Sequence, residues 1–252
     1  MSISSRQRIV GRCRFADSWT AVAAVVALLA CASGCELAAV GQNVEGTRLF
    51  SQGNYQGAAD RFQQAMQSDP TNPDSFYNLA ATLHRRGYVT KNPTELEQAE
   101  SLYNQCLDRD PNHTDCYRGL AVLLTERGES EKAFSLLQGW ADRSPSLADP
   151  KIELARLHDE FGDRGRSIEL LTEALELSPE NPRALVALGR HREQAGDPEQ
   201  ALACYNRSLK RNPNQPQVQH RVAALHRVAA PAAIVTPPDG TRIVTTPGVM
   251  LR

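Results

Sequence analysis

Five prolines cut the middle of the chain into near-equal lengths. In "MQSDPTNP", "LDRDPNHT", "ADRSPSLA", "LELSPENP" and "LKRNPNQP" they are Pro70, Pro111, Pro145, Pro179 and Pro213, spaced by 41, 34, 34 and 34 residues. A period of this size means that one supersecondary unit is repeated, and that no unit can bury its apolar face alone. Counting back from each proline by the same offsets gives small residues at Ala58, Ala99, Ala133, Ser167 and Ala201, and large apolar ones at Phe62, Tyr103, Leu137, Leu171 and Tyr205. Earlier in the units come "NLA" from Asn78, "GLA" from Gly119, "ELA" from Glu153 and "ALG" from Ala187, then a glycine at Gly87, Gly128, Gly162 or Gly196.

Each unit reads as two amphipathic helices. The first carries apolar residues at helical spacing, as in Phe76, Leu79, Ala80 and Leu83, and ends near its glycine. The small residues allow two helices to approach closely. Glycine supports a C-cap, and proline is tolerated at a helix start but not inside one. The pattern resembles the tetratricopeptide repeat. That resemblance implies an all-α fold, a right-handed α-solenoid of helix-turn-helix repeats.

Five repeats are read at 39–72, 73–113, 114–147, 148–181 and 182–215, so the array spans 39–215. The opening helix of the first has Gln42 and Glu45 where large apolar residues are expected, and is predicted to be short or frayed. The second repeat carries seven extra residues in "GYVTKNPTELEQAE", expected to bulge out as a loop before a helix starting at Asn92 and Pro93. Residues 216–229 read as a capping helix with Val218, Val222 and Leu225 inward and His220, Arg221, His226 and Arg227 outward. Beyond it, 230–252 turns rich in Pro, Thr and Gly. There "AIVT" and "TRIVTT" flank "PPDG", a hairpin signal in a tail expected to be flexible.

The first 34 residues read as an address. Arg6, Arg8, Arg12 and Arg14 precede an apolar run from Trp19 to Ala32 that ends in small residues. That is the order of a secretory signal, too short for a comfortable permanent span. A cysteine closing such a run resembles the lipobox of bacterial lipoproteins, whose cysteine is acylated and begins the mature chain. "ASGC" favours Cys35; "LLAC" offers Cys31 as the alternative. A plain signal anchor with incidental cysteines is the remaining option.

Overall net charge of -1 hides an asymmetry: 36–181 hold 14 basic and 24 acidic residues, whereas 182–228 hold 8 and 3. From Cys35 onward the chain is acidic, and its basic end lacks interleaved aromatics, which argues against nucleic acid. No phosphate loop, dinucleotide fingerprint, HExxH or nucleophile elbow occurs, so no enzyme, cofactor or small-molecule substrate is expected. Cys106, His113 and Cys116 come nearest to a metal-ligand set but lack a convincing spacing, and no metal is expected. Cys106 and Cys116 are read as two packed thiols. A disulfide is the alternative, requiring Cα atoms within about 7 Å.

In tetratricopeptide-repeat proteins the first helices line a concave groove. The resemblance places Tyr77, His84, Arg118, Arg156, Arg183 and Arg190 on that side, where arginines could pair with carboxylates of an extended peptide. The competing reading is a set of solvated charges interleaved with Asp115, Asp149, Asp159 and Glu193. A Lys and Asn carboxylate clamp known in the family is not matched: Asn43, Thr47, Asp115 and Gly119 stand at four of its five positions, and only Asn78 agrees. The whole reads as a lipoprotein of the bacterial cell envelope, periplasmic in aspect, serving as an adaptor or assembly scaffold for a protein or peptide partner. Its layout is similar to that of pilotin-like lipoproteins. A regulatory or substrate-presenting subunit of an envelope enzyme, or a non-exported cytoplasmic adaptor, are the alternatives.

Overall fold

The computed structural model describes residues 37–229 and two short strands, Ile234–Val235 and Ile243–Val244. The signal segment with Cys31 and Cys35, and most of the 230–252 tail, lie outside the described residues. The fold is all-α, an α-solenoid of helix-turn-helix repeats. Eleven helices follow one another among the described residues. They are α1 (37–51), α2 (Tyr55–Ser68), α3 (Pro73–Thr90), α4 (Pro93–Arg109), α5 (Thr114–Glu126) and α6 (Ser130–Arg143), then α7 (Asp149–Glu160), α8 (Arg164–Leu177), α9 (Pro182–Gln194), α10 (Pro198–Arg211) and α11 (Pro216–Ala229). The short strands pair antiparallel, Ile234 with Val244 and Val235 with Ile243, where the hairpin signal stood.

Local chemistry sets the helix starts. Asn72, Asn92 and Asn181 each precede a proline in the first turn, and their side-chain oxygens accept from the backbone N–H of Asp74, Thr94 and Arg183. The cap satisfies a donor the helix leaves orphaned, and proline lacks the donor that would be orphaned next. Between helices of a pair, Gly53, Gly128, Gly162 and Gly196 take φ values of 77 to 82°, the left-handed turn that a Cβ would strain.

Two compact units divide the chain, one ending at Leu123 and the other beginning at Leu124, within α5. In the first, α2 packs on α3 and α3 on α4. In the second, each helix from α6 to α10 packs on its successor. Both cores are built from the periodic positions: Ala58, Ala99, Ala133, Ser167 and Ala201 are buried, as are Phe62, Tyr103, Leu137, Leu171 and Tyr205. Trp140, fully buried, fills the largest single volume of the second unit. At its far end Val222 and Leu225 of α11 pack against a core of Ala201, Tyr205 and Val218, covering the last pair as a cap must.

Two expectations are corrected. The first helix is neither short nor frayed, running 37–51. Gln42 and Asn43 hold it by polar contacts instead of bulk: Ser68 Oγ donates to Gln42 Oε1 at 3.0 Å and Asn43 Nδ2 to Ser75 Oγ at 2.9 Å.

Nor does the seven-residue insertion form a loop. Helix α3 runs 18 residues and α4 17, against 12 or 13 for α5, α7 and α9 and 14 for α6, α8 and α10. Gly87, read as a terminator, lies inside α3 because α4 crosses it closely. A Cβ there would meet Glu95 Cβ and Leu96 Cδ2 at 3.0 Å. The helix closes instead at Lys91, which takes the left-handed conformation at φ 54°.

Candidate functional site

In the second unit a charged cluster joins α7 to α9. Glu153 is fully buried, and its carboxylate accepts from Arg156 Nε at 3.2 Å and from Arg183 Nη2. Arg183 Nη1 also donates to Asp149 Oδ1 at 3.0 Å, and Arg156 Nη1 to Glu160 Oε2 at 2.9 Å. A carboxylate without water must be met by fixed counter-charge, and two guanidinium groups supply it here. The Nη2 atom of Arg156 is buried without a hydrogen-bond partner among the described residues. Arg190 lies seven residues after Arg183, on the same side of α9. It is exposed and forms no ion pair among the described residues. Of the arginines expected to face a peptide in this unit, two are engaged by acidic neighbours and Arg190 presents its charge to solvent.

Next to Arg190, His191 turns into the core. Its Nε2 lies 3.1 Å from Ser167 Oγ and 3.7 Å from Asp159 Oδ1, while its Nδ1 is buried without a partner among the described residues. Serine, histidine and aspartate meet here, but a relay needs them on opposite ring nitrogens. Both crowd Nε2, and Ser167 is itself buried. Burial, reinforced by Arg164 and Arg190 and opposed by Asp159, holds the imidazole pKa below its ordinary value and the ring neutral.

Tyr205, one helix on, donates from Oη to Glu193 Oε2 at 2.7 Å, and Arg221 Nε donates to the same oxygen at 2.9 Å. Burial first, then Glu193, pushes the phenol up to about 12. The Cys204 thiol, free among the described residues, is also raised by burial.

In the first unit, Tyr77 is half-buried, 5.7 Å between ring centroids from His113 and 6.3 Å from Tyr103, and burial raises its pKa ahead of Asp115. Arg118 Nη1 donates to Asp115 Oδ1 at 2.8 Å. His84 does not face a groove. It is buried, its Nδ1 3.3 Å from Tyr103 Oη, because the aromatic ring of α4 claims the space against α3. His113 Nδ1 accepts from the Cys116 N–H at 3.2 Å, capping α5, and Nε2 lies 3.0 Å from Asp74 Oδ1. That pattern puts the ring proton on Nε2.

Cys106 and Cys116, expected as free thiols, form a disulfide with Cα atoms 6.6 Å apart. Close packing at the small-residue positions brings α4 and α5 within bonding reach. The ligand atoms of Cys106, His113 and Cys116 lie within 4.8 Å of one another, yet with both sulfurs bonded and His113 Nδ1 capping α5 the set offers little to a metal.

Glu153 could have been found from sequence: it replaces Asn78, Gly119 and Ala187 of the sister repeats and stands directly between Ile152 and Leu154. No pattern announced a cleft of about 400 Å³ between α2 and α4 in the first unit, floored by Leu79 and Leu83 and rimmed by Gln56, Gln63, Gln98 and Gln105. Those glutamines are surface residues whose convergence depends on packing.

Sequence profiles of the tetratricopeptide repeat match residues 46–87, 94–148 and 160–225. Among solved structures, the chain is similar to TTC0263, a thermophilic protein of this class from Thermus thermophilus. Identity is 23% over 75% of this chain and 100% of that one, with a TM-score of 0.56. Weaker likenesses are to YrrB, described as having an unusual peptide-binding site, at 15% identity over 72% and 90% of the two chains and TM-score 0.39, and to pilF of Pseudomonas aeruginosa, at 16% over 78% and 86% and TM-score 0.49. No curated protein matches the sequence significantly.

Proposed function

We propose, starting from a chain that belongs to the tetratricopeptide-repeat family, that it is an envelope-tethered adaptor. Proteins of this fold generally mediate protein–protein interactions. In this reading Cys35 is acylated and holds the array at a membrane of the bacterial envelope on the periplasmic side, where the repeats bind an extended peptide or protein partner.

The observation that carries the exported half is the Cys106–Cys116 disulfide. Such bonds persist in oxidising compartments and are rare where thiols are kept reduced. It agrees with the basic, apolar and small order of residues 1–34. For partner binding the support is Arg190, an exposed cation without an ion pair among the described residues, two turns from Arg183 on α9, and the partner it suits is acidic or ends in a carboxylate.

Mass spectrometry of the N-terminus from membrane fractions of cells expressing the full chain tests the first half. A lipid-modified Cys35, or Cys31, is expected; an intact Met1 in the soluble fraction refutes export. Partner capture with R190E tests the second. This variant is the cleanest because Arg156 and Arg183 also neutralise buried Glu153. Capture that survives R190E unchanged sinks the proposed site.

A further inference from the structure

Among the described residues, nothing covers one apolar face of helix α1. Leu37, Val40 and Val44 are 75%, 51% and 66% exposed. At about 100° per residue they fall within an arc of roughly 60°, opposite buried Ala39 and Gly46. Thr47, Arg48 and Ser51 continue the same arc and are exposed but polar. The apolar character is therefore confined to the first two turns, over roughly 10 Å of helix axis. A seam for another helix would continue along the whole length.

What lies at that end of α1 is Cys35, two residues before Leu37. Two residues span at most about 7 Å, so acyl chains on Cys35 would bring the bilayer surface to the apolar turns. We propose that Leu37, Val40 and Val44 sit in the headgroup–acyl boundary of the membrane that holds Cys35. The inference rests on acylation of that residue.

The occupant is a lipid surface rather than a second copy of the chain. Three side chains fall well short of the interface of about 1,000 Å² that a stable dimer needs, whereas interfacial helices bury an apolar face only about 5–10 Å deep. The charge on the described arc is that of Arg48, which pairs with Glu45 on its flank at 2.6 Å. Zwitterionic lipid therefore suffices, and salt should not release the contact. Two acyl chains already give stable anchoring, so the face contributes orientation: it seats the first two turns of α1 in the boundary, tilts the polar turn at Ser51 away from it and fixes which surface of the first unit points outward.

The test uses full-length protein expressed in cells and purified from membranes, reconstituted into phosphatidylcholine vesicles with and without brominated acyl chains. Tryptophan is placed at the apolar turn (V44W) or the polar turn (S51W). Trp140, buried in the second unit, is a common background. Severalfold stronger quenching of V44W than of S51W, unchanged by salt and lost in L37E/V40E/V44W, is the expected result. A lipid-modified protein in which V44W and S51W are quenched alike overturns the inference and leaves the anchor intact. Shielding of V44W that rises with protein concentration, without quenching, overturns it in favour of self-association. Protein that never reaches the vesicles because no acyl group is found by mass spectrometry removes the anchor and this inference with it.

Discussion

Reducing the Cys106–Cys116 disulfide should loosen the first unit by a predictable amount. The bond closes a loop of sequence separation 10. In the chain-entropy account its loss returns about 9 cal/mol/K to the unfolded chain, or about 2.7 kcal/mol at 25 °C. That is a large part of the 5–15 kcal/mol typical of a folded domain. Both cysteines are fully buried, so substitution by alanine would add a void to the entropy. Reduced thiols fill nearly the same space and are the cleaner perturbation. In protein refolded from denaturant with and without reductant, the transition of the first unit should differ in thermal midpoint by about 10–20 °C, followed by circular dichroism at 222 nm. Trp140 fluorescence reports the second unit, which holds Cys204 as a free thiol, and should shift less. Coincident midpoints by circular dichroism would show that the bond merely records proximity and contributes nothing.

Other outcomes follow from single positions. A Cβ at Gly119 would lie 2.6 Å from two ring carbons of Tyr103 and 2.7 Å from its hydroxyl oxygen, whereas one at Gly139 meets only the flexible tip of Arg143 at 3.2 Å. G119A should therefore cost about 1–3 kcal/mol and G139A gain up to about 1 kcal/mol through helix propensity, both read from urea midpoints. Lys91 is a non-glycine residue at positive φ, and K91G should raise the urea midpoint of the first unit by the equivalent of about 1 kcal/mol. His191 has its pKa depressed in the folded state by burial, so between the folded value and the ordinary value near 6.5 the unfolded chain binds the extra proton. Stability should be fully present above about pH 7.5 and fall as pH drops through 6.5 toward the depressed value. H191Q should flatten that part of a urea-midpoint profile; an unchanged profile would mean that the ring titrates normally.

Much of the fold was legible because packing imposes it at fixed intervals. Ala133 and Leu137 must be small and large for the same reason as Ala201 and Tyr205, and a single chain displays that reason five times. Caps were equally legible: Asn92 and Pro93 start a helix by local chemistry alone. Gly87 misled because glycine serves two ends. In the sister repeats it permits a left-handed turn; here it permits the close crossing by Glu95 and Leu96. The disulfide depended on a Cα separation of 6.6 Å, a tertiary quantity that no spacing of residues encodes. For the arginines, position on the helix was readable, but whether a carboxylate already held them was not. Asp115 and Arg118 stand three apart and could have been paired on paper; Arg183 reaches Asp149 and Glu153 more than one helix away.

The long α3–α4 pair has a consequence for how such a chain can change. Its additional residues lengthen two antiparallel helices at the end where they join, so the turn moves outward while the packing behind it is left in phase. An array of this kind therefore has two independent ways to grow. It can gain whole units along its stacking direction, or it can extend one hairpin sideways in increments of a helical turn. The second needs no new neighbour, only helix-forming residues added in matched amounts to both arms. The join at Lys91 and Asn92 is accordingly where a foreign helical hairpin could be grafted with least disturbance to the units on either side.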